Sequence, residues 1–192
     1  QEDRGPDGSG PQGGDQPSPT QAMADLLRSI LATPKPVVVR IDGHVRAGGM
    51  GLVGACDIVV AGPASTFALT EARLGLAASI VSLTVLPRIT SRSAGRYFLT
   101  GEKFGPDEAR DIGLVTVSAD DTDEATAALL RELHKSSPQG LAESKSLLTR
   151  SILADFDTQA QRLCDQSARL FATAEAREGM MAFLEKKPPP WA

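Results

Sequence analysis

From Pro19 onward the chain runs through two hydrophobic rhythms in turn. Met23, Leu26, Leu27, Ile30 and Leu31 recur at helical spacing, with Thr20 placed to cap the start and Pro34 and Pro36 to end the helix. Val37–Ile41 is a short β-branched run between proline and Asp42-Gly43, and it predicts a buried strand. Ala47-Gly48-Gly49-Met50-Gly51-Leu52-Val53 predicts a glycine turn that opens a short helix. Two further strands follow at Ile58–Ala61 and Thr66–Leu69, and this order with short links indicates an α/β fold. Residues 79–100 are mostly helical, broken near Pro87 and closed by Gly101. Pro106–Ile112 predicts another helix, stopped by Gly113, and Leu114–Val117 a strand.

After Asp121 the pattern is helical throughout. Leu129, Leu130 and Leu133 share a face, and Ser137-Pro138 supplies an N-cap and a first-turn proline for the helix carrying Leu141, Leu148 and Ile152. Leu163, Cys164, Leu170 and Phe171 form a further stripe, and Met180, Met181, Phe183 and Leu184 the last. Apolar stripes this crowded need cover, part of which a neighbouring subunit can supply. Three segments result: a flexible tail over 1–18, an α/β core over 19–120 and a helical region over 121–192. The tail is rich in Gly, Pro and charge and has no aliphatic residue to offset its ordering entropy.

Composition narrows the function. Net charge is −4 with the two signs interspersed, so no basic patch invites nucleic acid or an anionic membrane. No apolar stretch approaches a membrane span, and no leader segment is visible, although the chain starts at Gln1 and is expected to be a fragment of its gene product. Cys56 and Cys164 stand far apart, and His44 and His134 lack motif partners, which argues against a zinc site or a Cys–His pair. Two free thiols fit a reducing compartment, and the expected location is cytoplasmic.

Five segments in order resemble the signatures of the enoyl-CoA hydratase/isomerase (crotonase) family. They are Lys35–Val38 through His44, Ala47–Leu52 through Ile58, Thr66–Gly75, Leu99–Glu102 with Glu108-Ala109 and Gly113–Val115, and Arg177–Lys186. The resemblance spans nearly everything from about Thr33 onward. It implies a crotonase-type ββα superhelix lacking its first strands, followed by a helical C-terminal oligomerisation region. It also implies a homotrimer or hexamer and an acyl-CoA substrate whose coenzyme A is the only cofactor-like group, with no metal.

The chemistry such a family performs needs an enolate oxygen to be stabilised. Backbone N–H groups at a helix start can do this, and glycine lets the backbone approach closely. From the local motif alone, an oxyanion position and a plain strand-to-helix turn are equally open at Gly48. The resemblance makes the Gly48 N–H an oxyanion donor, with Gly49 and Gly51 beside it in substrate binding. It makes Glu71 the general acid/base, a carboxylate between Leu69 and Leu74 whose partial desolvation raises its pKa. It also carries Phe183 and Lys186 to the adenine end of CoA, against an equally open reading as core and solvated residues. Arg46 is read as a surface charge before a phosphate or acyl-tail partner, Ile80, Val81, Leu83 and Leu86 as acyl pocket or core, and Asp57 as a turn cap.

Two departures matter. Where the best-known hydratases carry a second glutamate, this chain has Gly51, and the family's other oxyanion loop is not in the sequence. The implied function is an enoyl-CoA hydratase or dehydratase, with a double-bond isomerase or a non-catalytic acyl-CoA binder as alternatives.

Overall fold

The computed structural model describes residues 17–192. The predicted tail therefore falls almost wholly outside the described residues, and its last position belongs to the fold. Ser18, not Thr20, caps the first helix, accepting the Gln21 N–H, with Pro19 at the first helical position. That helix, α1 (Pro19–Ala32), buries Ala24, Leu27 and Leu31.

The core is built from repeating strand–strand–helix units. Strands β1 (Val38–Ile41) and β2 (His44–Arg46) lead into helix α2 (Gly48–Ala55), and β3 (Ile58–Ala61) and β4 (Thr66–Ala68) follow. β3 pairs in parallel with β1, and β4 in parallel with β2. Each repeat thus adds one strand to each of two sheets, which makes the chain climb as a ββα superhelix. β5 (Val117–Ser118) extends the first sheet to the order β1-β3-β5.

Two predicted details change. β2 is absent from the hydrophobic pattern because it is three residues long and contains His44 and Arg46. The strand expected at Leu114–Val117 begins only at Val117. Leu114 and Val115 are buried, but both donate their N–H to the Ala109 carbonyl and wrap the end of a helix instead of pairing.

A short 3-10 turn (Glu71–Leu74) follows β4. Helices α3 (Ser79–Val85) and α4 (Ser91–Thr100) stand on either side of Pro87, as the sequence indicates, and Gly101 ends α4 in the left-handed conformation. α5 (Pro106–Asp111), α6 (Thr122–Leu133), α7 (Pro138–Phe171) and α8 (Ala174–Leu184) complete the chain. The two apolar stripes read between 141 and 171 lie on one 34-residue helix, capped by Ser137 with Pro138 in its first turn.

One hydrophobic cluster fills the space around the sheets, with Phe67, Phe104 and Tyr97 in contact at its centre. A second joins α1, α3 and α7 through Leu27, Leu31, Leu83, Ile152, Phe156 and Leu163. A buried ion pair clips α7 to the core. Lys145 Nζ lies 2.8 Å from Asp57 Oδ2 and donates to the carbonyls of Ile30 and Lys35 at 2.8 and 2.9 Å. Asp57 Oδ2 also accepts the Val37 N–H at 2.7 Å. The ammonium group is thereby fully partnered, which a buried charge requires.

Candidate active site

The parallel register of β2 and β4 places the two predicted chemical groups together. Arg46 stands opposite Ala68, so the chain leaves both strands at the same end. Two residues beyond Arg46 is Gly48, and three beyond Ala68 is Glu71. Both line one open cavity of about 380 Å3. Its walls are otherwise apolar side chains of α1, α3, α7 and α8, chiefly Met23, Ile80, Val81, Phe171 and Met180, with the hydroxyl-bearing Thr20, Thr70, Ser79 and Ser167 among them. Among the described residues, Glu71 is the only ionisable one lining it.

The turn before α2 is strained. Ala47 sits at φ 47° and ψ −125°, left-handed backbone that a side-chain-bearing residue rarely adopts. Its carbonyl accepts the Met50 N–H at 2.9 Å, closing a tight turn. Gly48 is the first helical residue, so its N–H has no partner within the helix. No acceptor among the described residues meets it. This is the arrangement from which a backbone amide can bind an oxyanion. A Cβ at position 48 would stand 2.6 Å from Met23 Cε, the tip of a flexible side chain, which would have to turn aside.

Glu71 opens the 3-10 turn, whose carbonyls at Thr70 and Glu71 accept the N–H groups of Arg73 and Leu76. Its Oε2 is enclosed and has no hydrogen-bond partner. Burial pushes the Glu71 carboxyl up from the ordinary carboxylate range, and a hydrogen bond from its own backbone N–H opposes this by less. A carboxyl with a raised pKa and one unpaired oxygen on a cavity wall has the properties that proton exchange requires.

The remaining predicted residues divide between the cavity wall and other parts of the fold. Gly49 is half-buried behind the turn, beside Val45. Gly51 is buried and does not line the cavity. A Cβ there would meet Val81 Cγ1 at 2.8 Å and Leu27 Cδ1 at 3.0 Å, so the family's second carboxylate would have to displace core side chains. Phe183 is 66% exposed and lies with Lys186 at the far end of α8, away from the cavity lining. Arg46 is spent on β2 and β4, donating to the carbonyls of Val45 and Thr66 and to Thr66 Oγ1. Of the residues predicted as pocket or core, Ile80 and Val81 line the cavity, Leu83 packs in the core and Leu86 is exposed. Among the described residues no group of His, Cys, Asp and Glu is arranged to hold a metal. No helix of the described residues is long and apolar enough to cross a membrane.

Sequence reasoning did not find Ala47, Met23, Phe171 or Met180 as parts of the site. Alanine carries no sign of a left-handed conformation, and the other three look like ordinary core positions until α1, α7 and α8 fold over the cavity.

Stacked ββα units that bring a helix-start amide and an enclosed carboxyl oxygen to one largely apolar cavity define the class of protein as an α/β superhelix. The family model for enoyl-CoA hydratase/isomerase matches residues 7–192, and the chain belongs to this family. Among solved structures, an enoyl-CoA hydratase from Mycobacterium avium is 57% identical, with a TM-score of 0.88 over 90% of this chain and 69% of that one. A Thermus thermophilus protein that carries the enoyl-CoA hydratase name is 31% identical over 170 residues, 88% of this chain and 67% of that protein. A cyclohexa-1,5-dienecarbonyl-CoA hydratase from Thauera aromatica is 28% identical over 176 residues, covering 89% of this chain and 67% of the relative. Other curated relatives are matched over less of their length, as little as 50%. The fold is the crotonase fold.

Proposed function

We propose that the protein hydrates the double bond of a 2-enoyl-CoA, or dehydrates the corresponding 3-hydroxyacyl-CoA, through a stabilised enolate. The observation that carries this reading is the presence of the free Gly48 N–H and of the Glu71 carboxyl, with its unpaired Oε2, on one cavity. The thioester oxygen binds at the Gly48 amide. Glu71 takes a proton from water as the water oxygen bonds to the β-carbon, and the electron pair of the double bond moves to the thioester enolate. The enolate collapses as Glu71 returns a proton to the α-carbon. One hydrogen and one hydroxyl are added, and Glu71 ends as it began.

The acyl group suited to this cavity is uncharged and largely apolar. Among the described residues the cavity's only ionisable group is Glu71, and Arg46, a candidate for an acidic acyl tail, is held by the strands. The names of the relatives agree with hydration. As a further part of this reading, Phe183 and Lys186 serve coenzyme A, and the exposed Leu147, Leu148 and Leu184 serve contacts in a homo-oligomer.

One observation favours a second reading. The core behind Gly51 has no room for a second carboxylate, so Glu71 works alone. A single carboxylate suffices to carry a proton from one carbon of a 3-enoyl-CoA to another, shifting the double bond without adding water.

Loss of enoyl-thioester absorbance with crotonyl-CoA tests hydration directly. Turnover by the native protein that disappears in Glu71→Gln supports the proposal. Turnover retained in Glu71→Gln overturns it, as does unchanged crotonyl-CoA alongside conversion of a 3-enoyl-CoA. Binding of acyl-CoA with no turnover of either substrate leaves a non-catalytic binder.

A further inference from the structure

The Glu71 carboxyl has no polar partner on Oε2, and the one hydrogen bond it accepts comes from its own backbone N–H, within the turn itself. Its position depends on how the backbone of the 3-10 turn is seated. Two grips hold that turn. On one side Arg73 Nε donates to the Thr100 carbonyl at 2.6 Å, tying the turn to the end of α4. On the other side the turn is pressed directly against α8.

The α8 contact is backbone against backbone, and each side presents a glycine to the other. A Cβ at Gly179 would stand 2.7 Å from the carbonyl carbon and oxygen of Leu74. A Cβ at Gly75 would stand 2.9 to 3.0 Å from Glu175 and Ala176 backbone atoms. Gly75 also needs its φ of 70° to close the turn. Thr173 caps α8, accepting the Ala176 N–H at 3.2 Å, which fixes the helix start beside Gly75. Met180, next to Gly179, reaches the same cavity as Glu71 and Leu74.

We infer that Gly179 and Gly75 form a seat through which the C-terminal helix of the same chain holds Glu71 over the cavity. Gly179 is a positioning residue: it acts through the Leu74 backbone, three residues from the carboxyl, and touches no substrate. This rests on the proposed role of Glu71 and adds what sets its geometry. The C-terminal helix is then part of the catalytic apparatus as well as of the packing.

Gly179→Ala tests this by forcing α8 and the turn apart by a few tenths of an ångström or more. Misplacing a catalytic group by such amounts costs up to about 10²-fold in rate. With crotonyl-CoA as substrate, kcat is expected to fall on the order of 10- to 100-fold, with KM little changed. In a Glu71→Gln background the same substitution leaves the residual rate unchanged while moving the melting temperature as it does in the native background. Gly75→Asn, which keeps a left-handed φ but adds a Cβ against Glu175, is expected to act in the same direction and replaces Gly179→Ala if that variant does not fold. Native kcat in a folded Gly179→Ala overturns the inference, as does an equal fall in both backgrounds. Failure of the Glu71 reading is seen separately, as native activity in Glu71→Gln alone.

Discussion

Two acidic residues stand at chain reversals on the two sheets, and they are treated in opposite ways. Asp57, between α2 and β3, accepts the Val37 N–H and pairs with Lys145, whose remaining donors go to Ile30 and Lys35. Glu71, after β4, has an enclosed oxygen with no partner at all. Asp57 is a joint between the core and α7. Glu71 is held in an environment that disfavours its charge. A carboxylate oxygen that is paired with an ammonium group and a backbone N–H serves the fold, whereas an enclosed one left unpaired on a cavity wall is available for chemistry.

The sharpest way to break this comparison is to remove each function in turn. Glu71→Gln is expected to lower kcat for crotonyl-CoA by about 10²–10⁴-fold with an unchanged circular dichroism spectrum. Lys145→Ala, which strands Asp57 in the interior, is expected to cost about 3–5 kcal/mol in denaturant unfolding. If both substitutions acted mainly on stability, the division between joint and site would fail. Gly51→Ala is expected to destabilise by about 1–3 kcal/mol, because its methyl group meets Val81 and Leu27.

The smallest effect is in pH dependence. The folded-state pKa of Glu71 is raised, so the fold binds this proton more tightly than the unfolded chain does. The stability penalty is therefore present above the raised pKa. It is relieved as pH falls toward the ordinary carboxylate range. Glu71→Gln is expected to melt slightly higher than the native protein at neutral pH, with the gap closing on acidification. A gap that widens on acidification would contradict the raised pKa.

Much of the frame is legible in the sequence because it is written in local signals. β1 and β3 are rich in Val and Ile and lie between turn residues, and Gly101 and Ser137-Pro138 mark helix ends where the structure has them. β2 is hidden because its pairing with β4, not its composition, makes it a strand. Gly48 and Glu71 enter as candidates through family resemblance. Their convergence depends on parallel register, which no single segment encodes. Lys145 looks like any exposed lysine on a helix, since its partners lie about 90 to 115 residues away in sequence. Glycines 75 and 179 read as a turn and a weak helix position until the two backbones are seen to touch.

Helix α7 has a mechanical meaning beyond its packing. At about 1.5 Å per residue, the 26 steps from Lys145 to Phe171 span roughly 39 Å along one uninterrupted rod. One end is anchored by a charge and the other lines the cavity that holds Gly48 and Glu71. Loosening the anchor should thus be felt at the cavity as altered leverage on Phe171, well outside the range of any direct contact.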